Sequence, residues 1–320
     1  MSKKLRIGFI GTGNFARKVH YPSLARIESA EIAAICENTH IERLDEVARQ
    51  YGIGQRYQDY QDMLDKADLD AVYAIMRPTY GLAEVACDVL AAGKPLFIEK
   101  PPALSVEEMR TMAEAAESSG CGTQVGFNRR FIPVLVEARR QVTERGLCSI
   151  TGTFYKHELK DDWLPGRKLL TNGIHAVDTL RWLADSEPRE VVAATSKGFT
   201  KGDNCWQALI RFENGVVGSL LTNYSAGARV HTFEIHGKGI SAFIDPDESA
   251  VIYADGDRKS PQILGAKEFA GSDEFIEYYG LRAENQHFVD SILAGKKPMP
   301  DFQDALKTME LVAEIEKGQI

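Results

Sequence analysis

Up to about Gly122, short apolar runs rich in β-branched and aromatic residues alternate with longer stretches in which apolar side chains recur every three or four positions. The short runs have the length and composition of strands, and the longer stretches have helical periodicity. The predicted strands are residues 5–10, 31–36, 71–75, 95–98 and 123–127, and the predicted helices are residues 41–51, 81–92 and 106–118. This alternation is typical of βαβ units, so we expect a doubly wound parallel sheet.

After about Ile150 the pattern changes to apolar and polar residues that alternate with a period of two, which predicts successive strands. The predicted strands are residues 150–159, 191–197, 207–212, 216–223, 232–236 and 241–244, with turn sequences at 213–215 and 237–239 that favour antiparallel hairpins. Helices are predicted at residues 175–183, 284–294 and 303–317. We therefore expect an α/β chain of two domains, residues 1–124 and 125–320, the second being an α+β domain with a mostly antiparallel sheet.

Composition and charge narrow the range of partners. The 38 Lys and Arg residues are outnumbered by 46 Asp and Glu residues, which gives a formal net charge of −8. No dense basic cluster offsets this charge, so nucleic acid is an unfavourable partner. We expect a small-molecule ligand instead.

The cysteines and the N-terminal sequence bear on location. The five cysteines are scattered and have no C-x-x-C spacing, so we expect reduced thiols and neither a disulfide framework nor a metal site. The first apolar stretch is too short for a secretion signal, and no uncharged apolar run approaches the about 18 residues that cross a bilayer. These features predict a cytoplasmic protein without a membrane partner.

A glycine-rich motif follows the first predicted strand and opens a helix, which is the context in which G-x-G-x-x-[GA] binds a dinucleotide. Gly11 permits a tight turn, Gly13 lets the backbone approach a pyrophosphate, and Ala16 allows close packing of helix on strand. The N–H groups at the start of that helix would stabilise the phosphates. The predicted cofactor-binding run is Gly11, Thr12, Gly13, Asn14, Phe15 and Ala16, in a Rossmann domain.

The second predicted strand ends at an acidic residue, Glu37, about 20 residues beyond the motif, where a carboxylate binds the ribose hydroxyls of the adenosine half. An NADP phosphate would meet that carboxylate, and residues 38–40 supply no arginine to neutralise it. The sequence therefore favours NAD over NADP.

Two further segments carry side chains suited to acid–base chemistry. Lys100 follows the fifth predicted strand, at the edge of the sheet where doubly wound folds bind ligands. His175 and Asp178 lie one helical turn apart, a spacing that places both on one face and could orient the imidazole. A lone histidine or lysine in such places is often structural. The case for a functional role therefore rests on where these residues lie in the predicted fold and not on their residue types alone.

With the glycine motif, the Glu99-Lys100-Pro101 tripeptide and the segment from Gly173 to Asp178 in this order, the chain resembles the Gfo/Idh/MocA family of sugar and cyclitol dehydrogenases. The resemblance runs from the first strand to the last helix. Supporting matches are residues 126–131, Trp163, residues 212–215 and the last two predicted helices.

The resemblance implies that the second domain has a large, open sheet whose face packs in homodimers or homotetramers. It also implies hydride transfer between NAD and a secondary alcohol, in which Lys100 binds the reacting oxygen and His175 is the acid/base group. Asp178 is either a third catalytic residue or a brace of its helix. The further cofactor contacts carried over from the family are Pro78, Glu99, Lys100 and Asn128.

Two positions depart from the family pattern. Many members have an aspartate four residues before the histidine, where this chain has Thr171, which cannot act as an anionic orienter. After the fourth strand, a Thr-Pro-Asn-like turn is replaced by a sequence that includes Arg77, either a ligand contact or a solvated side chain. The first departure leaves three alternatives open: Asp178 compensates, catalysis relies mainly on Lys100 and His175, or the chemistry differs from the inositol-dehydrogenase type.

Substrate specificity is expected from a polar segment ahead of the histidine, which contains Lys156, His157, Lys160, Trp163 and Arg167. Their charges suggest a polar, anionic ligand, and an indole such as that of Trp163 can pack on a sugar face. The predicted substrate-binding residues are Lys100, Lys156, Trp163, Thr171, Asn172 and His175.

Other functions remain open at this point. One is an NAD-bound sugar sensor without turnover, which Thr171 favours and the retention of Lys100 and His175 disfavours. Another is an enzyme that keeps NAD tightly bound and uses it either to eliminate a glycosidic bond by transient oxidation or to oxidise and reduce different sugars in turn. A plain binding protein would not need the glycine motif together with Glu37.

Overall fold

The computed structural model describes residues 4–160 and 164–319. They form two compact units. The first contains residues 4–127 and Leu281–Leu306, and the second contains the described part of Asn128–Gly280 and residues 307–319.

The strands are β1 (Leu5–Ile10), β2 (Ala30–Cys36), β3 (Gln55–Tyr57), β4 (Ala71–Ala74), β5 (Leu96–Ile98), β6 (Thr123–Val125), β7 (Leu147–His157), β8 (Pro188–Ser196), β9 (Cys205–Phe212), β10 (Val217–Asn223), β11 (Ser225–Gly237), β12 (Ile240–Asp245), β13 (Ser249–Ala254) and β14 (Gln262–Gly265).

The α-helices are α1 (Tyr21–Ala25), α2 (Ile41–Tyr51), α3 (Tyr60–Lys66), α4 (Leu82–Ala91), α5 (Val106–Ser119), α6 (Pro133–Glu144), α7 (Ile174–Ala184), α8 (Ala266–Ala270), α9 (Phe275–Tyr278), α10 (Leu281–Leu293) and α11 (Phe302–Lys317). Ala16–His20 and Leu169–Gly173 are π-helical turns, and Pro78–Tyr80 and Asn128–Phe131 are 3₁₀ turns.

The sheet of the first unit has the strand order β3-β2-β1-β4-β5-β6, and every pair in it is parallel. The chain returns to the middle of the sheet after β3, so the direction of winding reverses between β1 and β4. This is the doubly wound order that opens a ligand crevice beyond the carboxyl ends of the strands. The predicted Rossmann fold is confirmed.

An aromatic stack forms the centre of this unit. The rings of Phe9 and Tyr21 lie 4.1 Å apart, and those of Tyr73 and Phe97 lie 4.6 Å apart. Phe288 of α10 packs edge-on against Tyr73, at 5.3 Å between centroids. Because α10 supplies Phe288 to this core, Leu281–Leu306 belongs to the first unit, whereas the sequence prediction assigned it to the second domain.

The sheet of the second unit has the order β14-β13-β12-β11-β7-β10-β9-β8. Its pairs are antiparallel except that of β7 with β10, so the predicted mostly antiparallel sheet is confirmed. Both predicted hairpins are present, and Gly215 and Gly239 have the positive φ angles, 87° and 67°, that such turns require. The sequence prediction did not include α6, α8, α9, β13 or β14.

The two faces of this sheet differ in what covers them. On the inner face, α7 packs so closely that a Cβ at Gly152 would lie 3.1 Å from the Cγ atom of Leu180. The outer face carries exposed apolar side chains: Val192, Leu209, Phe243 and Ile263. Leu209 and Ile263 expose 56% and 65% of their surface, more than a core-facing position would.

Candidate functional site

In the first unit, the predicted site residues follow strands of one parallel sheet. Gly11 follows β1, Glu37 follows β2, and Lys100 comes two residues after the end of β5. Since these strands run in the same direction, the residues that follow them emerge at the same edge of the sheet. The fold therefore brings the cofactor motif and Lys100 to one edge.

The two glycines of the motif meet different surroundings. Gly11 has a φ angle of 104°, and a Cβ there would lie 2.4 Å from the carbonyl oxygen of Ile75. A Cβ at Gly13 would meet no atom within 4 Å, so the backbone faces open space. Gly11 is thus fixed by the fold, whereas Gly13 leaves room for a ligand to approach the chain.

The helix after the motif begins with an unusual turn. The N–H group of Arg17 donates to the carbonyl of Gly13, and that of Tyr21 donates to the carbonyl of Ala16, five residues back. Pro22 has no N–H group, and a proline in an α-helix disturbs the preceding turn, which accounts for the wide π-helical turn. Ala16 is fully buried against the strand, as the motif predicts.

The Glu37 carboxylate is held by four donors on its own side of the crevice. Thr12 donates from its N–H group (3.1 Å) and its hydroxyl group (2.8 Å), and the N–H groups of Thr39 and His40 donate at 3.0 and 3.3 Å. Burial alone would raise the pKa of Glu37, but these hydrogen bonds outweigh it and hold the pKa below the ordinary value. Glu37 is therefore ionised and fixed in orientation.

Glu99, a predicted cofactor contact, belongs to a buried polar chain. Its carboxyl group lies 3.0 Å from Nε2 of His20, whose Nδ1 lies 3.1 Å from the side-chain oxygen of Asn285. The second oxygen of Glu99 accepts the N–H group of Lys100. A Cβ at Gly126 would lie 2.4 Å from Oε1 of Glu99, so a side chain at this position would displace the carboxyl group from its present place. The sequence analysis missed His20 and Asn285.

The remaining predicted residues of this unit lie around the same edge. Pro78 is buried and opens the Pro78–Tyr80 turn after β4, while the neighbouring Arg77 is exposed. Asn14 and Phe15 are exposed at the start of the helix after the motif, and Phe15 packs edge-on against His20 at 5.5 Å.

In the second unit, His175 lies at the start of α7 against an arginine that the sequence analysis did not single out. Nη1 of Arg129 lies 3.0 Å from Nδ1 and 2.9 Å from Nε2 of His175. The same nitrogen donates to the side-chain oxygen of Asn128, whose amide nitrogen donates to the carbonyl of Tyr279. Asn128, a predicted cofactor contact, is thus buried and positions Arg129.

Asp178 is also bonded to an arginine of that turn. Its carboxylate accepts two hydrogen bonds from Arg130, at 2.9 and 2.6 Å, and a third from the hydroxyl of Thr308. Asp178 is only 1% exposed. Of the two roles left open by the sequence, these contacts match a brace that ties α7 to the Asn128–Phe131 turn and to α11.

Three of the predicted substrate residues form one cluster. Nζ of Lys156 donates to the side-chain oxygen of Asn172 at 2.7 Å, and the amide nitrogen of Asn172 donates to the hydroxyl of Thr171. Trp163 lies outside the described residues. Arg167, which was predicted to contribute to substrate specificity, forms an ion pair with Glu316 at 3.2 Å. It therefore also makes a structural contact.

The polar segment also contains His157 and Lys160. The ring of His157 lies 2.9 Å from the carbonyl of Ala226, and both residues of the segment are exposed.

Another histidine of this unit, His231, was not recognised in the sequence. It lies on the inner face of β11 between the rings of Phe154 and Phe233, and neither ring nitrogen has a hydrogen-bond partner among the described residues. Burial, and then the positive charges of Arg129, Arg229 and Lys156, hold the pKa of His231 well below its usual range. The ring is therefore neutral near pH 7.

The part of the chain that the structure describes contains neither a membrane-spanning helix nor a metal-binding cluster. None of its helices combines the length and apolarity needed to cross a membrane. None of its groups of His, Cys, Asp and Glu side chains could hold a metal ion.

Comparison with known proteins places these features in a family. The family model described as "Oxidoreductase family, NAD-binding Rossmann fold" matches residues 5–127, and that of the GFO/IDH/MocA C-terminal domain matches residues 147–242. Together they cover well over half of the chain.

Individual relatives agree with the family models. The rhizopine catabolism protein MocA of Rhizobium meliloti is 30% identical over 62% of this chain and 65% of its own length. The scyllo-inositol 2-dehydrogenase (NAD(+)) of Bacillus subtilis is 27% identical over 84% of this chain and 81% of its own. The crystal structure of a dehydrogenase from Chromobacterium violaceum has the same fold, with a TM-score of 0.89 at 23% identity over 99% of this chain and 95% of that one. The chain therefore belongs to the Gfo/Idh/MocA family of NAD-binding oxidoreductases.

Proposed function

We propose that the protein is an NAD-dependent dehydrogenase that interconverts a secondary alcohol and the corresponding ketone of a sugar, a sugar derivative or a cyclitol. The observation that carries this proposal is the common edge of the parallel sheet at which the glycine turn, Glu37 and Lys100 emerge. This common edge supports a nucleotide site together with a cationic group suited to a reacting oxygen.

The residues at this edge fit NAD. The open space at Gly13 admits a pyrophosphate, and the anchored, ionised carboxylate of Glu37 can accept hydrogen bonds from two ribose hydroxyls. That carboxylate would repel the extra phosphate of NADP, so we propose that NAD is preferred. Further contacts are proposed for Thr12, Asn14, Phe15, Ala16, Pro78, Glu99, Lys100 and Asn128. Bound NAD would supply the hydride acceptor.

The chain itself has to bind the reacting oxygen and move one proton. The ammonium group of Lys100 donates to that oxygen and stabilises the negative charge that develops as the hydride leaves the neighbouring carbon. His175 accepts the hydroxyl proton during oxidation and returns it during reduction. Asp178 acts through Arg130 by fixing the helix that carries His175.

The substrate class follows from the relatives and from the polar cluster beside His175. One relative acts on scyllo-inositol according to its name, and Lys156, Asn172 and Thr171 offer donors and acceptors for hydroxyl groups. Trp163 is proposed as a further substrate contact on the resemblance alone.

The proposal extends to assembly and location. A homodimer or homotetramer would cover the apolar outer face on which Val192, Leu209, Phe243 and Ile263 are exposed. The cytoplasm is the proposed location, in keeping with the five free cysteines.

The test is NADH formation by the purified protein with a panel of inositols, sugars, sugar acids and sugar phosphates, each offered with NAD and with NADP. Turnover of one class with a preference for NAD is the expected result. If no substrate reacts while NAD still raises the melting temperature, the sensor or the tightly held cofactor explains the site better. Absence of any stabilisation by NAD would overturn the proposal.

A further inference from the structure

Two buried polar residues of the first unit, His20 and Asn285, have no part in the proposed chemistry, yet they lead directly to Lys100. Asn285 on α10 bonds to His20, and His20 bonds to Glu99, which precedes Lys100 at the edge of the sheet. Asn285 and His20 are completely buried, and Glu99 exposes 9% of its surface. Polar groups withdrawn from water in this way are costly unless they are hydrogen-bonded, so the arrangement restricts where the protons lie.

The His20 ring is held by aromatic neighbours. Its centroid lies 5.3 Å from that of Phe97, 6.1 Å from that of Tyr73 and 5.5 Å from that of Phe15, and all three contacts are edge-on. The ring is therefore packed in one orientation, with Nδ1 towards α10 and Nε2 towards the end of β5.

Asn285 determines which ring nitrogen is a donor. The amide nitrogen of Asn285 donates to the carbonyl of Leu281 at 2.7 Å, so its side-chain oxygen is the atom that faces Nδ1 of His20, at 3.1 Å. An amide oxygen only accepts hydrogen bonds, so Nδ1 has to be the donor. His20 is therefore protonated at Nδ1.

The proton on Nδ1 restricts the contact at the other nitrogen. If the ring is neutral, Nε2 of His20 offers a lone pair, and Oε1 of Glu99 at 3.0 Å has to carry a proton. If Glu99 is ionised, Nε2 has to carry the proton, and the ring is an imidazolium ion. In both cases one proton lies between the two atoms.

The carboxyl group of Glu99 passes this restraint on to Lys100. Its Oε2 atom accepts the N–H group of Lys100 at 3.2 Å. On the other side, a Cβ at Gly126 would lie 2.4 Å from Oε1, so the backbone of Gly126 closes off the space into which the carboxyl group could move. The N–H group of Gly126 also donates to the carbonyl of Ile98, which ties this backbone to the end of β5.

We propose that His20 is a positioning residue for Lys100. With Nδ1 bonded to Asn285 and one proton shared with Glu99, it holds the Glu99 carboxyl group against the backbone of Lys100 and so fixes the lysine that binds the reacting oxygen. This inference rests on the proposed function of Lys100. It goes beyond that function because it makes the rate depend on two buried residues that contact neither the substrate nor, in the proposal, the cofactor.

The first test determines the protonation of His20 without turnover. Long-range proton–nitrogen correlation spectra of the protein with isotope-labelled histidine distinguish the two neutral tautomers and the imidazolium ion, and the His20 signals are those missing from His20→Leu. Near neutral pH we expect a protonated Nδ1 in the wild type. Asn285→Leu removes the acceptor and should favour a neutral ring protonated at Nε2, because an Nδ1–H group would be a buried donor without a partner. A wild-type ring protonated only at Nε2, or an unchanged Nδ1–H in Asn285→Leu, would overturn the inference.

The second test follows the backbone of Lys100 by amide hydrogen exchange, which also needs no turnover. Loss of the restraint in His20→Leu should speed exchange of the Lys100 N–H group roughly tenfold. Asn285→Leu should have a smaller effect, since it leaves the contact between His20 and Glu99 in place, and it serves as the test variant if His20→Leu does not fold.

The third test is kinetic. His20→Leu should lower kcat roughly 10- to 100-fold, because Lys100 is no longer held in place, while the Kd for NAD changes by less than about threefold. The double variant with Asn285→Leu should lose no more of kcat than His20→Leu alone, because Asn285 acts through His20. Independent, additive losses would overturn the inference.

Gln124→Leu is the matched control. Gln124 is also completely buried, and its amide donates to the carbonyl of Glu284, so it joins the sheet to α10 outside the chain of Asn285, His20 and Glu99. Its loss should reduce stability but leave kcat and the exchange of the Lys100 N–H group near their wild-type values.

The outcomes separate this inference from the function on which it rests. A wild-type kcat and unchanged exchange at Lys100 in folded His20→Leu would overturn the positioning role while leaving the dehydrogenase intact. Equal effects in Gln124→Leu would overturn it as well, because any buried polar link to α10 would then suffice. If the wild type oxidises no substrate, the proposed function fails, and the exchange at Lys100 still decides whether His20 positions this residue.

Discussion

The two units assemble their polar groups over different distances along the chain. In the first, Thr12 reaches Glu37 across 25 positions, and both follow strands that are adjacent in the sheet. In the second, Arg129 and His175 are 46 positions apart, Arg130 and Asp178 are 48 apart, and Thr308 is 130 from Asp178. The first site is a property of one βαβ unit, whereas the second depends on tertiary packing.

This difference decides what each site tolerates. A carboxylate at the edge of the sheet, such as that of Glu37, remains hydrated and keeps its other hydrogen-bond donors when one donor is removed. A buried pair such as Arg130 with Asp178 leaves an uncompensated charge when either partner is removed. Substitutions in the second unit should therefore affect folding, and those at the edge of the first unit should affect ligand binding.

The largest expected effect is on stability, from Asp178→Asn. The substitution leaves the guanidinium of Arg130, with 9% of its side chain exposed, without its counter-charge, which costs about 3–5 kcal/mol of unfolding free energy. Urea denaturation measures it. Asp185→Asn is the control, since that carboxylate lies at the end of the same helix, pairs with Arg139 and is 76% exposed. Equal losses in the two variants would show that the buried pair is no more important than the surface pair.

Catalysis should be most sensitive at the edge of the first unit. Lys100→Met removes the donor to the reacting oxygen, so kcat should fall about 100- to 1,000-fold while the Kd for NAD stays near the wild-type value. Steady-state kinetics and calorimetric titration with NAD measure the two quantities. Lys94→Met is the control, because Lys94 lies before the other end of β5 and donates to the carbonyl of Leu69. Unchanged turnover in Lys100→Met would remove the lysine from the mechanism.

Substitutions at the two motif glycines should have different effects: one should lower stability, and the other should weaken NAD binding. Gly11→Ala forces a side chain onto the carbonyl of Ile75 at a positive φ angle, so it should lower the unfolding free energy by about 1–3 kcal/mol. Gly13→Ala meets no protein atom, so it should leave stability unchanged and weaken NAD binding. Denaturation curves and NAD titrations of both variants measure this. A destabilised Gly13→Ala with normal NAD affinity would reverse the assignment.

The sequence predicts well where Gly11, Thr12 and Glu37 lie in the first unit, because the information for their positions is local. The glycine turn and Glu37 have fixed offsets from strands that periodicity identifies, and the positive φ angle of Gly11 is what the motif requires. The exception within this unit is His20, whose partner Asn285 is 265 positions away and comes from a helix assigned to the other domain. No spacing rule could have joined these two residues.

In the second unit, sequence patterns predict some of the elements but not the contacts between them. Its hairpins follow from their turn residues, but β14 is short and half-exposed, so its apolar content gave no clear strand signal. The i, i+3 spacing of His175 and Asp178 correctly places both on α7, yet their contacts with Arg129 and Arg130 depend on how the Asn128–Phe131 turn packs. The packing of this turn depends on tertiary contacts that the spacing of His175 and Asp178 does not predict.

The smallest effect should come from Glu37→Gln. This substitution tests whether NAD binding at the edge of the first unit depends on the charge of Glu37. The amide keeps the shape but loses the charge that ribose hydroxyls bond, so NAD binding should weaken about tenfold and the preference over NADP should narrow. Glu31→Gln, on the exposed side of the same strand β2, is the control and should leave both affinities unchanged.

The pH dependence of NAD affinity gives a second test of the role of Glu37. Since hydrogen bonds hold the pKa of Glu37 below its ordinary value despite partial burial, the carboxylate stays ionised in mild acid. Its contribution to folding is therefore present above the unfolded pKa and lost only as the pH falls through the lower, folded pKa. NAD affinity of the wild type should accordingly begin to fall only at a lower pH than an ordinary glutamate carboxylate would require. An affinity that already declines in mild acid in the wild type, and not in Glu37→Gln, would mean that the Thr12, Thr39 and His40 donors do not hold this carboxylate ionised.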